Sequence, residues 1–553
     1  MTADAETLPP QASTTAPVPG PARTALWAAP VLCVATVVLA LWSTYRDGGY
    51  FADDVAAVTT LTLVACGVGL LVVGPSWRPT RGALVCVGAA VGLTLWTALS
   101  ASWSPDPEGA TLAARRDLGY AAFLLLALLG VGNGRRAALL VQLVVLLLVG
   151  VCVVALLSRL RPSLFDVDPQ LLQVSQGRLA FPVGYWNGLG AVAAMAVMGC
   201  LGLAADAREH PAVRAAGAAG GTIAGCVLYL TISRGAGLAL AAALVVVLVL
   251  SPRRVRLAVS GVLMLATVTA GVLVLSADRI LVDEPGTLAA QEDAGRPVLV
   301  ALLAIALGAA LVQLALTRVS ALNRTHRHVS HYSPRSRAAT GYAVCAGLVV
   351  VLLVGVYATS ADTLEGQAAN GTFGVRGFVD RQYDAFMDTS KPPPVGTERL
   401  ASARSSRSEA YEVAINGFQA NPLAGDGAAG YEVRWYRERT VPESFRNAHS
   451  LELETASELG LVGLLLLGAM LAPLVGGMRG LRRATGGLTR SQAAAAGGVL
   501  TVWLVHSALD WDWQLGSVTL PALACGAAML ARGQRQPAAS TAGMVARRRH
   551  TGS

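Results

Sequence analysis

The run AALLVQLVVLLLVGVCVVALLS, from Ala137 to Ser158, carries no charge, and Gln142 is its only strongly polar side chain before the closing serine. As a helix it reaches about 33 Å at 1.5 Å per residue, the thickness of a bilayer's hydrocarbon core. In lipid every backbone N–H and C=O must be satisfied within the segment, so this run dictates a spanning α-helix.

Working outward, runs of similar character precede it at 25–43, 55–74, 82–102 and 118–132 and follow it at 186–205 and 215–232. Seven more lie at 235–251, 255–276, 297–317, 338–358, 458–478, 491–508 and 513–531. The expected fold is all-α and integral to the membrane, with about fourteen transmembrane helices. Composition agrees: of 553 residues 54% are hydrophobic and only 14% charged, with a mean hydropathy of +0.54. Soluble domains carry roughly 25% charged residues.

Basic residues test the helix count, because a miscounted span scrambles the alternation of basic loops. With the N-terminus inside, the inner loops carry Arg78 and Arg81, Arg135 and Arg136, Arg208 and Arg214, Arg253, Arg254 and Arg256. Five arginines from Arg318 to Arg337 follow, then Arg479, Arg482, Arg483 and Arg490. The outer loops are acidic, at Asp47, Asp53 and Asp54, at Asp278, Asp283, Glu284, Glu292 and Asp293, and at Asp510 and Asp512. Both termini are therefore expected in the cytoplasm, and a large, partly helical loop between helices eleven and twelve faces outward. The resulting division is a disordered tail at 1–22, helices one to eleven in 23–358, the extracytoplasmic loop at 359–457, helices twelve to fourteen in 458–531 and a basic tail at 532–553.

The net charge of +9 is explained by these orientation signals and does not imply nucleic acid. All eight cysteines fall inside apolar runs without paired spacing, which argues against disulfides and metal knuckles. No phosphate-binding glycine loop with lysine, zinc helix or serine elbow is present.

Arginines on the outer side run against the usual bias. Arg234 stands in Thr231-Ile232-Ser233-Arg234-Gly235-Ala236-Gly237, a tight outer turn in which Ser233 caps the next helix. A helix N-terminus beside a guanidinium suits an anion such as a phosphate at head-group depth. A snorkelling arginine is the plain alternative. Arg115 and Arg116 are weaker candidates, since the adjacent Asp117 can pair with them. In the large loop, Arg404 and Arg407 share a helical face, which is also what a solvated basic surface would show. Asn421-Pro422-Leu423-Ala424-Gly425 then breaks that helix.

The loop closes on Asn447-Ala448-His449-Ser450-Leu451-Glu452, and the spacing of His449 and Glu452 places a carboxylate where it can orient an imidazole as general base. A surface histidine beside a helix cap is the competing account. Asp53-Asp54 and Asp510-Trp511-Asp512 are weaker candidates for a divalent cation, or else charged caps; His506 and Asp510 read as an ordinary helical pair. Tyr185-Trp186-Asn187 reads first as an interfacial aromatic belt.

Four local signatures give the chain a resemblance to the O-antigen ligase family, which includes O-antigen polymerases and O-oligosaccharyltransferases. They are Tyr185-Trp186-Asn187-Gly188, Ser233-Arg234-Gly235, the Asn421-to-Gly425 turn after an arginine-bearing helix, and Ala448-His449-Ser450 followed by Glu458-Leu459-Gly460-Leu461-Val462-Gly463. Tyr411 and Ser450 stand where the family commonly has tryptophan and asparagine.

The resemblance implies a GT-C-like membrane glycosyltransferase that moves a glycan from a polyprenyl diphosphate to a glycan, lipid or protein acceptor outside the cytoplasmic membrane. It implies inversion and neither metal nor other cofactor. Arg234, Arg407 and His449 match the family's catalytic positions, and Arg404 is the alternative to Arg407. Asn187, Asn447, Glu452, Arg115 and Arg116 join Arg404 as candidate substrate-binding residues. Membrane lipids are the remaining partners, and a flippase for lipid-linked glycans is the reading from another functional class.

Overall fold

The protein is described here from a computed structural model. The structure describes residues 20–325 apart from 133, 135 and 283–285, residues 382–388, 396 and 405, residues 407–481 and residues 487–531. The expected eleventh span, Arg404, most of the basic loop before that span and the C-terminal tail lie outside the described residues.

Among the described residues the regular structure is helical throughout. The first half holds α1 (Gly20–Thr44), α2 (Ala52–Val72), α3 (Arg81–Ser100), α4 (Pro107–Val131), α5 (Ala137–Leu160), the short α6 (Pro169–Ser175) and α7 (Trp186–Ala204). Then come α8 (Pro211–Thr231), α9 (Arg234–Leu250), α10 (Arg254–Ser276) and α11 (Leu288–Thr325). The later segment holds α12 (Arg407–Ala420), α13 (Gly430–Glu438), α14 (Leu451–Gly477), α15 (Arg490–Ser507) and α16 (Gly516–Ala531). The expected spans outside 338–358 correspond to α1–α5, α7–α11 and α14–α16. Among the described residues eight helices are long and apolar enough to cross a membrane, and α9, α16 and Ala28–Thr44 of α1 are shorter apolar helices.

Small residues set the packing. The spanning window of α7 is wholly buried, and a Cβ on its Gly202 would come within 2.6 Å of the Ala495 nitrogen on α15. Two helices whose backbones approach that closely gain van der Waals contact where lipid offers no hydrophobic drive. Around this centre α8, α9 and α5 pack on α7, while α2 and α3 pair with α4 and α14 packs on α3. The seven described cysteines are buried in this packing.

Outside the bundle, α12 and α13 form a small layer over the start of α14. Its core is Ala410, Val413, Ala414, Tyr431, Trp435 and Ala448. The Tyr431 hydroxyl donates to the Ala410 carbonyl at 3.1 Å, and the Trp435 indole to that of Glu443 at 3.1 Å. The turn after α12 is stitched into α14: Asp426 N–H reaches the Ser457 carbonyl at 2.9 Å, Gly427 N–H that of Glu458 at 2.8 Å, and Leu461 N–H donates to Pro422 at 2.9 Å. These groups are released by Gly460, whose φ of 64° and ψ of −160° interrupt α14. That backbone region is essentially open only to glycine.

Candidate active site

Asp510, between α15 and α16, joins the arginine that opens α12 to the Tyr185-Trp186-Asn187 signature. Arg407 opens α12 and its guanidinium donates to an Asp510 carboxylate oxygen at 2.6 Å and to the Leu509 carbonyl at 2.6 Å. From the start of α7, Asn187 Nδ2 donates to the same Asp510 oxygen at 2.9 Å, and the Tyr185 hydroxyl donates to the other at 2.9 Å. The Asp510 side chain is 1% exposed and that of Arg407 21%. Burial alone would raise the Asp510 carboxyl, but Arg407 and two histidines hold it at about 2. The same carboxylate outweighs burial at Arg407 and keeps it firmly protonated.

The Ser233-Arg234 turn packs onto this cluster from the side. Ser233 caps α9 by accepting from Ala236 N–H at 3.3 Å. A Cβ on Gly190, one turn below Asn187, would meet the Ser233 side chain at 2.8 Å, and one on Gly235 would meet His506 Nε2 at 3.4 Å. Half-buried Arg234 therefore opens a capped helix next to the last turn of α15, three residues before Asp510.

His449 completes the group. Its φ is 54°, an uncommon left-handed conformation for a residue with a Cβ. Two contacts hold the flanking backbone: Ser450 caps α14 by accepting from Leu453 N–H at 3.4 Å, and Glu454 accepts from Ala448 N–H at 2.9 Å. The Tyr411 hydroxyl, one turn after Arg407 on α12, donates to the His449 carbonyl at 3.4 Å. His449 Nδ1 lies 3.1 Å from the Asn447 carbonyl. A carbonyl only accepts, so Nδ1 carries the proton and Nε2 presents its lone pair. Burial and then the Arg407 charge lower the imidazole to about 4, with Asp510 opposing them in part. The ring is neutral at neutral pH, which is the state a general base needs.

Several expectations need correction. The group that orients His449 is the Asn447 carbonyl; Glu452 is exposed, and its carboxylate accepts from Ser450 at 3.4 Å. His506 does not pair with Asp510: its Nδ1 lies 2.7 Å from Asp512. Tyr185-Trp186-Asn187 is more than an aromatic belt, since two of its side chains fix Asp510. Arg115 and Arg116 sit within α4, which starts eleven residues before the expected position 118. Arg115 is exposed, while Arg116 lines a cavity of about 50 Å³ with Glu454 and Gln514. Asp117 is held by Thr97 at 2.7 Å and by the Trp513 indole at 2.9 Å. Asn447 donates to Glu454 at 3.4 Å.

Of the four carboxylates suspected of holding a cation, three are met by basic side chains, Asp54 by Arg46 at 3.2 Å, Asp510 by Arg407 and Asp512 by His506. Among the described residues no group of three histidine, cysteine or acidic side chains is arranged to hold a metal ion. Asp510 and Tyr185 were missed as site residues. The available signal was a carboxylate at the outer edge of two apolar helices, a position that requires a cation.

Residues 294–468 match the family model described as O-antigen ligase. Over that stretch the chain is O-antigen ligase-like. The resemblance read from the motifs is borne out: the match contains Arg407, the Asn421-to-Gly425 turn, His449 and Gly460. Asn187, Arg234 and Asp510 lie outside it and join the site through the contacts described above. A comparison with curated proteins finds no match. The O-antigen ligase match and the membrane-helical architecture support a multi-pass inner-membrane ligase or polymerase of cell-surface glycans, a glycosyltransferase-like enzyme.

Proposed function

We propose that the protein transfers a glycan from a polyprenyl diphosphate to an acceptor hydroxyl at the outer face of the cytoplasmic membrane, by a single inverting displacement without a metal. The observation that carries this reading is a histidine whose Nδ1 is taken up by the Asn447 carbonyl, leaving the Nε2 lone pair available, on the loop that also bears a half-buried arginine fixed by Asp510.

His449 Nε2 removes the hydroxyl proton as the acceptor oxygen attacks the anomeric carbon. The bond from that carbon to the diphosphate oxygen breaks on the opposite face, and the electron pair leaves with the polyprenyl diphosphate. Arg407 and Arg234 answer its charge. Of a guanidinium's five N–H donors two of Arg407's are engaged by Leu509 and Asp510, so the group is aimed before the diphosphate arrives. Two guanidiniums supply the charge that a divalent ion supplies elsewhere in phosphate chemistry. Asp510 then stabilises the imidazolium until the proton passes to water. In this reading the loop at 359–457 is the catalytic element, and Asn187, Asn447, Arg404, Glu452, Arg115 and Arg116 serve substrate binding or its scaffolding.

The test is turnover by purified protein in detergent with a polyprenyl-diphosphate glycan, an envelope acceptor fraction and excess chelator. Product of inverted anomeric configuration, formed at an unchanged rate with chelator, is expected. Loss of turnover on chelation contradicts the metal-free step. Translocation of the lipid-linked glycan across liposomes without any transfer favours a flippase.

A further inference from the structure

A second outward cavity, of about 440 Å³, lies between the end of α3 and the far end of the α12–α13 layer. Its walls include Trp103, Asn421, Asp426, Arg434, Arg437 and Glu438. None of these takes part in the step above. Arg434 grips Asp426 with two nitrogens at 2.6 and 3.1 Å and reaches Glu438 at 2.5 Å; Asn421 donates to Asp426 at 2.7 Å.

The chain segments beside the cavity are tied to each other as well. Ser104 donates to the Ala428 carbonyl at 2.7 Å, and Ala428 N–H donates to Ser100 at 3.0 Å. Trp103 is 37% exposed at the rim.

We infer that this cavity is a subsite for a neutral oligosaccharide segment of the glycan, remote from the bond being made. Two carboxylates face two guanidiniums, so the lining favours no ion. Planar side chains locked into a network keep lone pairs and N–H groups in fixed directions, which suits the hydroxyls of a sugar ring. The indole adds an apolar surface for the ring's C–H face. Position sets the length: Arg407 and Asn421 stand at opposite ends of a fourteen-residue helix, about 20 Å apart at 1.5 Å per residue. A single sugar at His449 cannot reach the cavity, whereas a longer glycan can, and remote binding of that kind holds a polymer for transfer. The identity of the glycan rests on the transferase reading above; the existence of the subsite does not.

The probe is oligosaccharide released by mild acid from the cell's polyprenyl-linked pool, sorted by length and titrated against the full-length protein in micelles by saturation-transfer NMR. Fragments of several sugars are expected to bind, and Trp103→Ala to raise their Kd up to about tenfold. Trp103→Phe should restore most of the affinity, and Arg437→Glu, at an exposed rim position, should weaken binding as well. Equal affinity of wild type, Trp103→Ala and Arg437→Glu for the longest fragment overturns the subsite, as does a wild type that binds no fragment at millimolar concentration. The same titration with glycan stripped from the envelope acceptor tells the sources apart, because dependence on Trp103 will follow the glycan that occupies the cavity. Trp103-dependent binding by a protein that transfers nothing would refute the transferase reading alone, and transfer without such binding would refute the subsite alone.

Discussion

His449 and Asp510 show how far single residues are legible. His449 stood out through the carboxylate of Glu452 three positions on and through the Ala448-His449-Ser450 signature, and Arg407 through the same family resemblance. The partner assigned to His449 was wrong for a local reason. The i, i+3 rule holds inside a helix, but α14 begins at Leu451 and His449 lies before the cap with a φ of 54°. Asp510 was hidden by sequence distance, since Arg407 is 103 positions away from it. At this scale the expected pH behaviour is unusual for a histidine base. The acid limb of kcat/KM should fall near pH 4, well below the ordinary 6.5, because burial and Arg407 disfavour the imidazolium. In Asp510→Asn the limb should move lower still, as the charge that favours protonation is gone. Linkage has the matching sign: between 6.5 and about 4 the unfolded chain binds the proton and the native one does not, so stability falls as pH drops through that window. A wild-type limb at 6.5 in a pH–rate profile contradicts this environment.

At the scale of elements, the co-occurrence of the Asn-Pro turn with the Glu458-Leu459-Gly460 motif acquires a physical cause. Gly460 breaks α14, and the freed backbone groups bond to Pro422 and to the turn at Asp426 and Gly427. A Cβ on Gly460 would stand 2.4 Å from the Leu423 carbonyl group. Gly460→Ala is therefore expected to lower stability by about 3 kcal/mol or more, from a positive φ and a backbone clash together, and thermal unfolding in detergent measures it. An unchanged midpoint would show that the turn and α14 are not coupled as described. The spans were legible because long apolar runs have few alternatives in lipid. By contrast, α13 was not, because its core contacts are only Tyr431 and Trp435 in a polar stretch. The true start of α4 was missed as well: Asp106 caps it, and Arg115, Arg116 and Asp117 interrupt the apolar pattern.

For the whole molecule, the helical bundle places the α12–α14 layer, the Ser233-Arg234 turn and Asp510 at one end. We propose, from the alternation of basic loops, that this end faces outward. Cysteine labelling checks it, since the seven described native cysteines are buried. Ser444→Cys, exposed in the outer layer, should react with a membrane-impermeant maleimide in intact cells, and Arg208→Cys, exposed between α7 and α8, only after permeabilisation. The opposite pattern would invert the topology and place the site in the cytoplasm. Most directly, the central claim is tested by transfer from a polyprenyl-diphosphate glycan in excess chelator, comparing wild type with a folded His449→Ala variant. Wild type should turn over, and the variant should lose about a hundred- to ten-thousand-fold in kcat, the usual contribution of a general base. Transfer by His449→Ala at the wild-type rate would contradict the account.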